Sequence, residues 1–279
     1  MQSTGTWLDP SELNAPLTPE ISTSMPLVPA SASVLRIVSY NIKDGGVDPA
    51  LIAAAFKANA NLATADIIMI QEAEAFPEEP STRISQLASA LDMAWIYAPA
   101  RPEKTGTLGD AIISRYPLED FAVMRLAFVP TKHQRIAVAG TLRIGDVAIR
   151  LVTTQLDTTL NITDRILQLR PVVIDLPSPS IVGGDMNTNP YAWQGNQVPL
   201  IPTSQVVDTD QAPMLDDYMQ QIGFANPIAP LGNTEVKFGI ASRLDAVFVS
   251  GLEPINAGVE RDITLSDHWP VWTDVRIQP

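Results

Sequence analysis

Residues 35–70 constrain the fold of this chain more than any other part of the sequence. Residues 35–40 are rich in amino acids that favour strands, and they end at the polar Asn41. Residues 49–64 carry apolar side chains at helical spacing, and residues 66–70 form a second apolar run. Because a helical crossover of this length typically joins parallel strands, the segment predicts a strand–helix–strand unit.

The rest of the chain continues this alternation of apolar runs and helical periodicity. Residues 81–93 and 162–169 predict two more helices, and the second is expected to stop near Pro171. Further strands are predicted at residues 95–98, 110–114, 121–126, 136–142, 147–154, 180–183, 244–249 and 271–277. No repeat and no second break in composition follows. The sequence therefore predicts one α/β domain over residues 35–279, with two mixed sheets packed face to face and helices outside.

Residues 1–34 differ from this domain in composition. They contain five prolines, three acidic residues and no lysine or arginine, which is typical of a linker or an extended arm. This composition favours a disordered start over a packed arm, because Trp7 and Leu8 are the only sizeable hydrophobic residues that could anchor its beginning. The segment lacks the pattern of a secretory signal. The compartment stays open, and a secreted or periplasmic protein whose signal was removed would look the same.

The composition also excludes several classes of protein. The formal net charge is -13 and the sequence pI is about 4.5, which disfavours a partner bound mainly through a basic surface. The absence of cysteine excludes disulfides, thiolate metal sites and cysteine nucleophiles. No apolar run approaches the roughly 18 residues of a membrane span. We expect a monomer with no membrane span.

Polar side chains follow three of the predicted strands and precede the last one. They are Asn41, Glu72, the pair Asp185 and Asn187, and the adjacent Asp267 and His268. Any one of them is ordinary turn chemistry. Together, at the ends of buried strands, they would converge on one sheet edge as a cluster of hard oxygen ligands, which suits Mg²⁺.

Six blocks of the sequence resemble a known family. In order they are RIVSYNIKDG, DIIMIQEAEAF, GDAIISRYPL, IVGGDMNTNP, SRLDAVFVS and LSDHWPVWTDV. They are similar to the endonuclease/exonuclease/phosphatase superfamily, which includes deoxyribonuclease I, the AP endonucleases, neutral sphingomyelinases and inositol polyphosphate phosphatases. The resemblance covers about residues 35–277 and implies a four-layer α/β sandwich.

The resemblance also implies where a metal ion binds. Glu72 is expected to be the main carboxylate on Mg²⁺, with Asn41 and Asp267 close by and Mn²⁺ able to substitute. Gly183 and Gly184 are expected to let the backbone come close to the ligand. The implied cofactor is therefore a divalent cation held by oxygen atoms.

The same resemblance implies the catalytic residues. Asp185 and Asn187 would orient the attacking water and hold a phosphate oxygen. His268 would act on the phosphoryl group or its water, and Asp245 would fix the tautomer of His268. Because adjacent side chains on an extended chain point to opposite faces, Asp267 is a poor partner for His268, and Asp245 fits that role better.

Three residues between the third and fourth blocks carry the substrate predictions. Arg135 is either a solvated charge or, as the resemblance implies, a phosphate-binding guanidinium. His133 is expected in an exposed loop. Gln155 stands where many relatives have a histidine before a leucine, and its amide can donate a hydrogen bond to a phosphate oxygen but cannot deliver a proton near pH 7.

The predicted function is Mg²⁺-dependent hydrolysis of a phosphate ester, with a phosphodiester and nuclease-like activity favoured; nucleic acid is one candidate substrate. A lipid head-group or inositol-phosphate phosphoesterase is an alternative, and Tyr191, Trp193 and residues 198–203 would then form its apolar rim, unless they pack as a surface loop. A non-catalytic binding protein is a third reading. The presence of all the site residues at once speaks against it.

Overall fold

The computed structural model describes residues 5–22, 32–44, 47–128, 133–193, 208–237 and 239–277. These residues form 15 strands and four α-helices. The strands are β1 (Trp7–Leu8), β2 (Glu20–Ile21), β3 (Val34–Asn41), β4 (Ile67–Ala75), β5 (Ala94–Glu103), β6 (Gly106–Ser114), β7 (Leu118–Arg125), β8 (Ile136–Ile144), β9 (Val147–Gln155), β10 (Ser180–Asp185), β11 (Glu235–Lys237), β12 (Ile240–Ser242), β13 (Asp245–Ser250), β14 (Glu253–Val259) and β15 (Val271–Arg276). The helices are α1 (Pro49–Ala58), α2 (Arg83–Leu91), α3 (Ile162–Val173) and α4 (Gln211–Gln221).

Two mixed sheets form the centre of the molecule. One has the strand order β1-β7-β8-β9-β10-β13, and the other has the order β14-β15-β3-β4-β6-β5-β2. Only β9 with β10 and β3 with β4 are parallel among the described pairs. The predicted α/β sandwich of two mixed sheets with helices outside is confirmed.

Side chains alternate along the strands and so fill three apolar layers. On β3, Leu35 and Ile37 point between the two sheets, whereas Val38 and Tyr40 point towards α1 and α2. The outer face of the six-stranded sheet packs on α3 and α4 in the same way. Burying one such side chain is worth roughly 1.5–3 kcal/mol, so these layers hold the strands in a fixed register.

That register brings the polar strand ends together. Asn41 lies beside Gln71 on the parallel neighbour of its strand. Asp185 lies between Gln155 of β9 and Asp245 of β13. The sheets therefore present amide and carboxylate side chains at one edge of the sandwich, as the sequence predicted.

Two helix predictions are wrong in their ends. The helix predicted at residues 49–64 stops at Ala58, and a separate 3₁₀ turn covers Leu62–Thr64. Helix α3 does not end at residue 169 but continues through Pro171 to Val173. The buried side chains of Val172 and Val173 anchor this last turn, whose packing outweighs the hydrogen bond that proline cannot donate.

The predicted disordered start is wrong for residues 5–22. Strand β1 pairs with β7 at the edge of one sheet, and β2 pairs with β5 at the edge of the other. The indole of Trp7 stacks on the guanidinium of Arg150 at 5.7 Å. Residues 1–4 and 23–31 lie outside the described residues, and the division of the chain at residue 35 stays a prediction.

The helices are short relative to the thickness of a bilayer. The longest of the four, α3, has 12 residues. None of the helices in the described part of the chain is long and apolar enough to cross a membrane.

Candidate active site

A cleft of about 330 Å³ opens where the polar strand ends meet. Its walls come from the ends of β4 and β10, the segment before β15, and the β11–β12 hairpin. The side chains lining it include Lys43, Glu72, Asp185, Asn187, Tyr191, Trp193, Glu235, Lys237, Ile240, Leu244, Asp267 and His268.

A bulge in β4 directs Glu72 into this cleft. The pairing of β4 with β6 shifts between Ile70 and Ala73, and Glu72 has a φ of 58°. A bulge of this kind re-aims side chains that strict alternation would place elsewhere. Gln71 stays between the sheets, where its amide nitrogen donates to Thr153 Oγ1 at 2.9 Å. Of the adjacent Gln71 and Glu72, only Glu72 therefore reaches the site.

Three donors hold the carboxylate of Glu72. Its Oε1 accepts from Nε2 of Gln155 at 2.6 Å and from Nδ2 of Asn41 at 3.1 Å, and its Oε2 accepts from the backbone N–H of Asp44 at 2.8 Å. Burial by itself would raise the pKa of Glu72, but these hydrogen bonds outweigh it and lower the pKa below its ordinary value. Glu72 is therefore ionised at neutral pH.

Asp185 is fully enclosed by amide donors. Its Oδ2 accepts from Asn41 at 3.0 Å, from Gln155 at 3.1 Å and from Asn187 at 3.1 Å. Its Oδ1 accepts from the backbone N–H of Asn187 at 2.9 Å. Burial raises the pKa of Asp185. Asn41 and Gln155 each donate to both Asp185 and Glu72, so two neutral amides separate two carboxylates.

The contact predicted between Asp245 and His268 is present. Nδ1 of His268 lies 2.9 Å from Oδ2 of Asp245, and its Nε2 lies 3.9 Å from Oδ2 of Asp185. Burial would lower the pKa of His268, but the carboxylates of Asp245 and Asp185 raise it to about 10. The imidazole thus connects Asp245 to Asp185 across the cleft floor. Its catalytic role stays a prediction.

Asn41 and Asp267, the other two predicted metal ligands, have protein partners. The side-chain oxygen of Asn41 accepts from the backbone N–H of Lys43 at 2.9 Å. Oδ2 of Asp267 lies 3.1 Å from Nζ of Lys237 and 3.3 Å from Nζ of Lys43. Burial raises the pKa of Asp267, but the hydrogen bond from Lys237 and nearby positive charges lower it overall. Their roles on a metal stay predictions.

The solvated-charge reading of Arg135 is wrong, because its side chain is buried. Its Nη1 donates to the side-chain oxygen of Gln155. His133 is exposed, as expected. Arg135 therefore orients the amide of Gln155 towards Glu72 from behind the site.

Gly183 and Gly184 approach protein atoms rather than the cleft. A Cβ at Gly184 would lie 1.9 Å from the carbonyl oxygen of Thr154, and one at Gly183 would lie 2.5 Å from Sδ of Met69. Both glycines lie within β10, so the expectation that they admit a ligand is wrong.

The sequence analysis missed several polar residues around the site. Lys43 and Lys237 neutralise Asp267. The backbones of Glu235 and His268 form a single antiparallel β-bridge, which attaches the β11–β12 hairpin to the site. Asp110 is fully buried behind Glu72, where burial raises its pKa to about 7 although Arg135 opposes the shift. A charged residue inside an otherwise apolar strand is the signal that could have found Asp110.

The donor set fits a divalent cation. Polar atoms of Asp185, Asp245 and His268 lie within 4.8 Å of one another, and because the raised pKa of His268 keeps its ring protonated at neutral pH, the carboxylates are the available ligands. The Oδ1 atom of Asp245 is buried and has no hydrogen-bond partner. Glu72, on the opposite side of Asp185, adds a third ionisable oxygen ligand. Several buried carboxylates with an unsatisfied oxygen suit a hard cation better than any neutral ligand.

Comparison with known proteins identifies the class. The model of the endonuclease/exonuclease/phosphatase family matches residues 38–268. This chain belongs to that family, whose members are phosphoesterases and generally depend on a divalent metal. No curated protein sequence matches it significantly.

Solved structures share the fold at low sequence identity. A family protein from Beutenbergia cavernae is 19% identical with a TM-score of 0.66, covering 88% of this chain and 72% of that one. TDP2 of D. rerio, solved with a single-strand DNA product, is 16% identical with a TM-score of 0.58, covering 88% and 100%. ANGEL2, described as a 2′,3′-cyclic phosphatase and solved with adenosine-2′,3′-vanadate, is 16% identical with a TM-score of 0.60, covering 88% and 96%. These likenesses establish the fold.

Removing the amide of Gln155 should lower turnover moderately. Gln155→Met keeps the length of the side chain but leaves Glu72 and Asp185 each without one donor, so we expect kcat to fall roughly 10- to 100-fold. Steady-state kinetics over a Mg²⁺ titration would measure this loss. The same change at exposed Gln220 is the control and should have no effect. Wild-type kinetics in Gln155→Met would remove Gln155 from the site.

Asp110 should make stability depend on pH. Its pKa is about 7 when folded and near 3.8 when unfolded, so the folded state binds more protons between these values. The stability that the neutral acid provides is present below about pH 4 and is lost as the pH rises through 7. The free energy of unfolding of Asp110→Asn, relative to that of wild type, should therefore rise by on the order of 4 kcal/mol between pH 4 and pH 8. Urea unfolding in EDTA at each pH would measure it. A pH-independent difference would contradict this.

Proposed function

We propose that this protein is a Mg²⁺-dependent phosphodiesterase. The observation that carries the proposal is the convergence of two polar pairs on Asp185. Gln155 joins Asp185 to Glu72 on one side, and His268 joins Asp185 to Asp245 on the other. An ionised carboxylate, a buried carboxylate and an oriented imidazole in one cleft form the apparatus that phosphoryl transfer to water needs.

Each side chain then has a defined part in the reaction. Glu72 would hold the cation, with Asp267 beside it, and Asn41, whose amide nitrogen donates to Glu72, would orient that carboxylate. The bound ion would neutralise charge on the phosphate. Asp185, next to Nε2 of His268, would orient the attacking water. Asp245 accepts from Nδ1 of His268, and because the pKa of His268 is raised to about 10, Nε2 also carries a proton, which faces the cleft.

Asn187 and Arg135 play supporting parts in this proposal. The amide nitrogen of Asn187 donates to the Leu156 carbonyl at 2.9 Å and to Asp185, which fixes the loop after β10. Arg135 fixes Gln155, so the substrate-binding role predicted for Arg135 is exerted through that amide. The phosphate is then bound mainly by the cation and by His268.

Nucleotide phosphodiesters are the favoured substrate class. Two proteins of the same fold were solved with a DNA product and with an adenosine vanadate. The lipid alternative would need Tyr191 and Trp193 on an outward rim, whereas both line the cleft. Residues 198–203, the rest of that predicted rim, lie outside the described residues.

A metal-dependent activity panel tests the proposal. It would compare plasmid DNA, single-stranded DNA, RNA, sphingomyelin, phosphoinositides and bis(p-nitrophenyl) phosphate in Mg²⁺, Mn²⁺ and EDTA. We expect hydrolysis of phosphodiesters in either metal and none in EDTA. Turnover in EDTA, or none on any substrate, would contradict the proposal, and the second result would favour a binding protein that retains the fold.

A further inference from the structure

The cleft contains a pair of aromatic side chains that the reaction itself does not use. Tyr191 and Trp193 lie in the segment that follows β10, and they line the same cleft as Asp185 and His268. Their rings meet edge to face, with centroids 6.1 Å apart and planes at 81°. This is a favourable geometry for two aromatic rings, so each holds the other in place.

Buried polar groups fix the backbone that carries these two rings. Asn161 donates to the carbonyl of Trp193 at 2.9 Å and accepts from its N–H at 2.8 Å. The indole N–H of Trp193 donates to Asn189 at 3.0 Å. The carbonyl of Tyr191 accepts from Gln211 at 2.7 Å, and fully buried Arg165 holds Gln211 in turn. The two rings are thus rigid although they lie on an irregular segment, which is the preorganisation that ligand sites require.

The wall formed by the β11–β12 hairpin adds aliphatic surface to the cleft. It contributes Ile240, which is 40% exposed. Leu244, directly before β13, also lines the cleft. The backbone β-bridge between Glu235 and His268 attaches this wall to the histidine of the site. An apolar slot therefore adjoins the phosphoryl centre.

Charge alone does not account for binding of an anionic substrate here. The chain has a net charge of -13, and Lys43 and Lys237 at the cleft are already paired with Asp267. Affinity would therefore come from a bound cation, from His268 and from uncharged contacts. Stacking on aromatic side chains is such a contact, and it is worth roughly 1–3 kcal/mol per base, which corresponds to about a 5- to 150-fold gain in affinity.

We propose that Tyr191 and Trp193 form a subsite that binds a planar aromatic ring attached to the phosphate of the substrate. This inference rests on the proposed phosphodiesterase function and specifies its substrate class. The ring can be a nucleobase or a phenol, because both present the same flat face. A cleft of about 330 Å³ is at the small end of the range for small-molecule sites, so one nucleotide-sized group fits.

Calorimetric titration of the full chain in Mg²⁺ tests the subsite without turnover. The probes are AMP, phenyl phosphate and methyl phosphate. We expect AMP, phenyl phosphate or both to bind at least about 10-fold more tightly than methyl phosphate. Trp193→Leu and Tyr191→Leu should each reduce this preference and leave methyl phosphate affinity unchanged, whereas Trp193→Phe should retain it. Tighter binding of AMP than of phenyl phosphate assigns the ring as a nucleobase, and the reverse assigns a phenol.

Matched variants and a second assay decide the outcome. Trp7→Leu, the same substitution far from the cleft, should behave as wild type, and thermal unfolding would check that each variant is folded. Equal binding of all three probes, no binding of the two ring probes, or an unchanged preference in both leucine variants would overturn the subsite. Binding to sphingomyelin vesicles is measured as well. The subsite would also be overturned if Trp193→Leu lost binding to the vesicles but to none of the three probes. Hydrolysis of bis(p-nitrophenyl) phosphate is measured in parallel, so that a ring preference without turnover counts against the phosphodiesterase function alone.

Discussion

Glu72→Gln is expected to reduce metal-dependent phosphodiester hydrolysis by at least about 10³-fold. The substitution keeps the shape of the side chain but removes the negative charge that we propose anchors the cation. The introduced glutamine can occupy the same bulge, because the strained φ of 58° is a property of the backbone that both side chains share. Its amide nitrogen would face one of the donors that the carboxylate now accepts from, so thermal unfolding must check that the variant is folded. Initial rates on bis(p-nitrophenyl) phosphate, with Mg²⁺ varied, would measure the loss.

The matched control for Glu72→Gln is the same change at exposed Glu253. That glutamate pairs with Arg276 at the far end of β14, so its removal should leave turnover unchanged. Crystals soaked in Mn²⁺ would locate the metal directly. Metal density away from Glu72, or wild-type rates in Glu72→Gln, would contradict the assignment.

His268→Ala should lower kcat by at least about 100-fold. The imidazole lies between Asp245 and Asp185, so its loss removes the donor that we propose faces the phosphate and leaves Asp245 without its partner. The double variant with Asp245→Ala should lose little more than His268→Ala alone, because the two residues act as one unit. Single-turnover rates for the four members of this cycle would measure the coupling.

The chain provides its own control for loss of a histidine. His133 is the second of two histidines and is exposed, so His133→Ala should keep wild-type rates. Independent, multiplicative losses in the Asp245 and His268 cycle would show that Asp245 serves another purpose. In that case the contact at 2.9 Å would be structural.

Local patterns predicted the fold because ten of the 15 described strands are apolar enough to be recognised singly. The five strands that were not predicted are short or exposed, namely β1, β2, β11, β12 and β14. The apolar run from residue 35 and the helical crossover after it predict that β3 and β4 are parallel. Parallel pairing in turn places the polar residues at the ends of both strands side by side. The contact between Asp245 and His268 was predicted from the family resemblance, and strand alternation only excluded Asp267 as the partner. What sequence periodicity could not show is the bulge at Glu72, because nothing in the local pattern requires a glutamate with positive φ.

Contacts between distant segments account for the other differences. The β11–β12 hairpin approaches His268 through a single bridge, so no local pattern places Lys237 on Asp267. The pairing of Arg135 with Gln155 was not accessible from the strand register. Strands β8 and β9 form a hairpin in which Ile144 faces Val147, and counting back along it places Ile136 opposite Gln155, so strict alternation would put Arg135 on the other face. The helix through Pro171 illustrates tertiary packing that overrides a local propensity.

The first strands of the chain have a consequence for how the sandwich resists self-association. β1 covers the outer edge of one sheet at β7, and β2 covers the outer edge of the other at β5. Each is only two residues long, so neither offers a long template to a second chain. A segment whose composition is typical of a linker thus supplies a short edge strand to each of the two sheets.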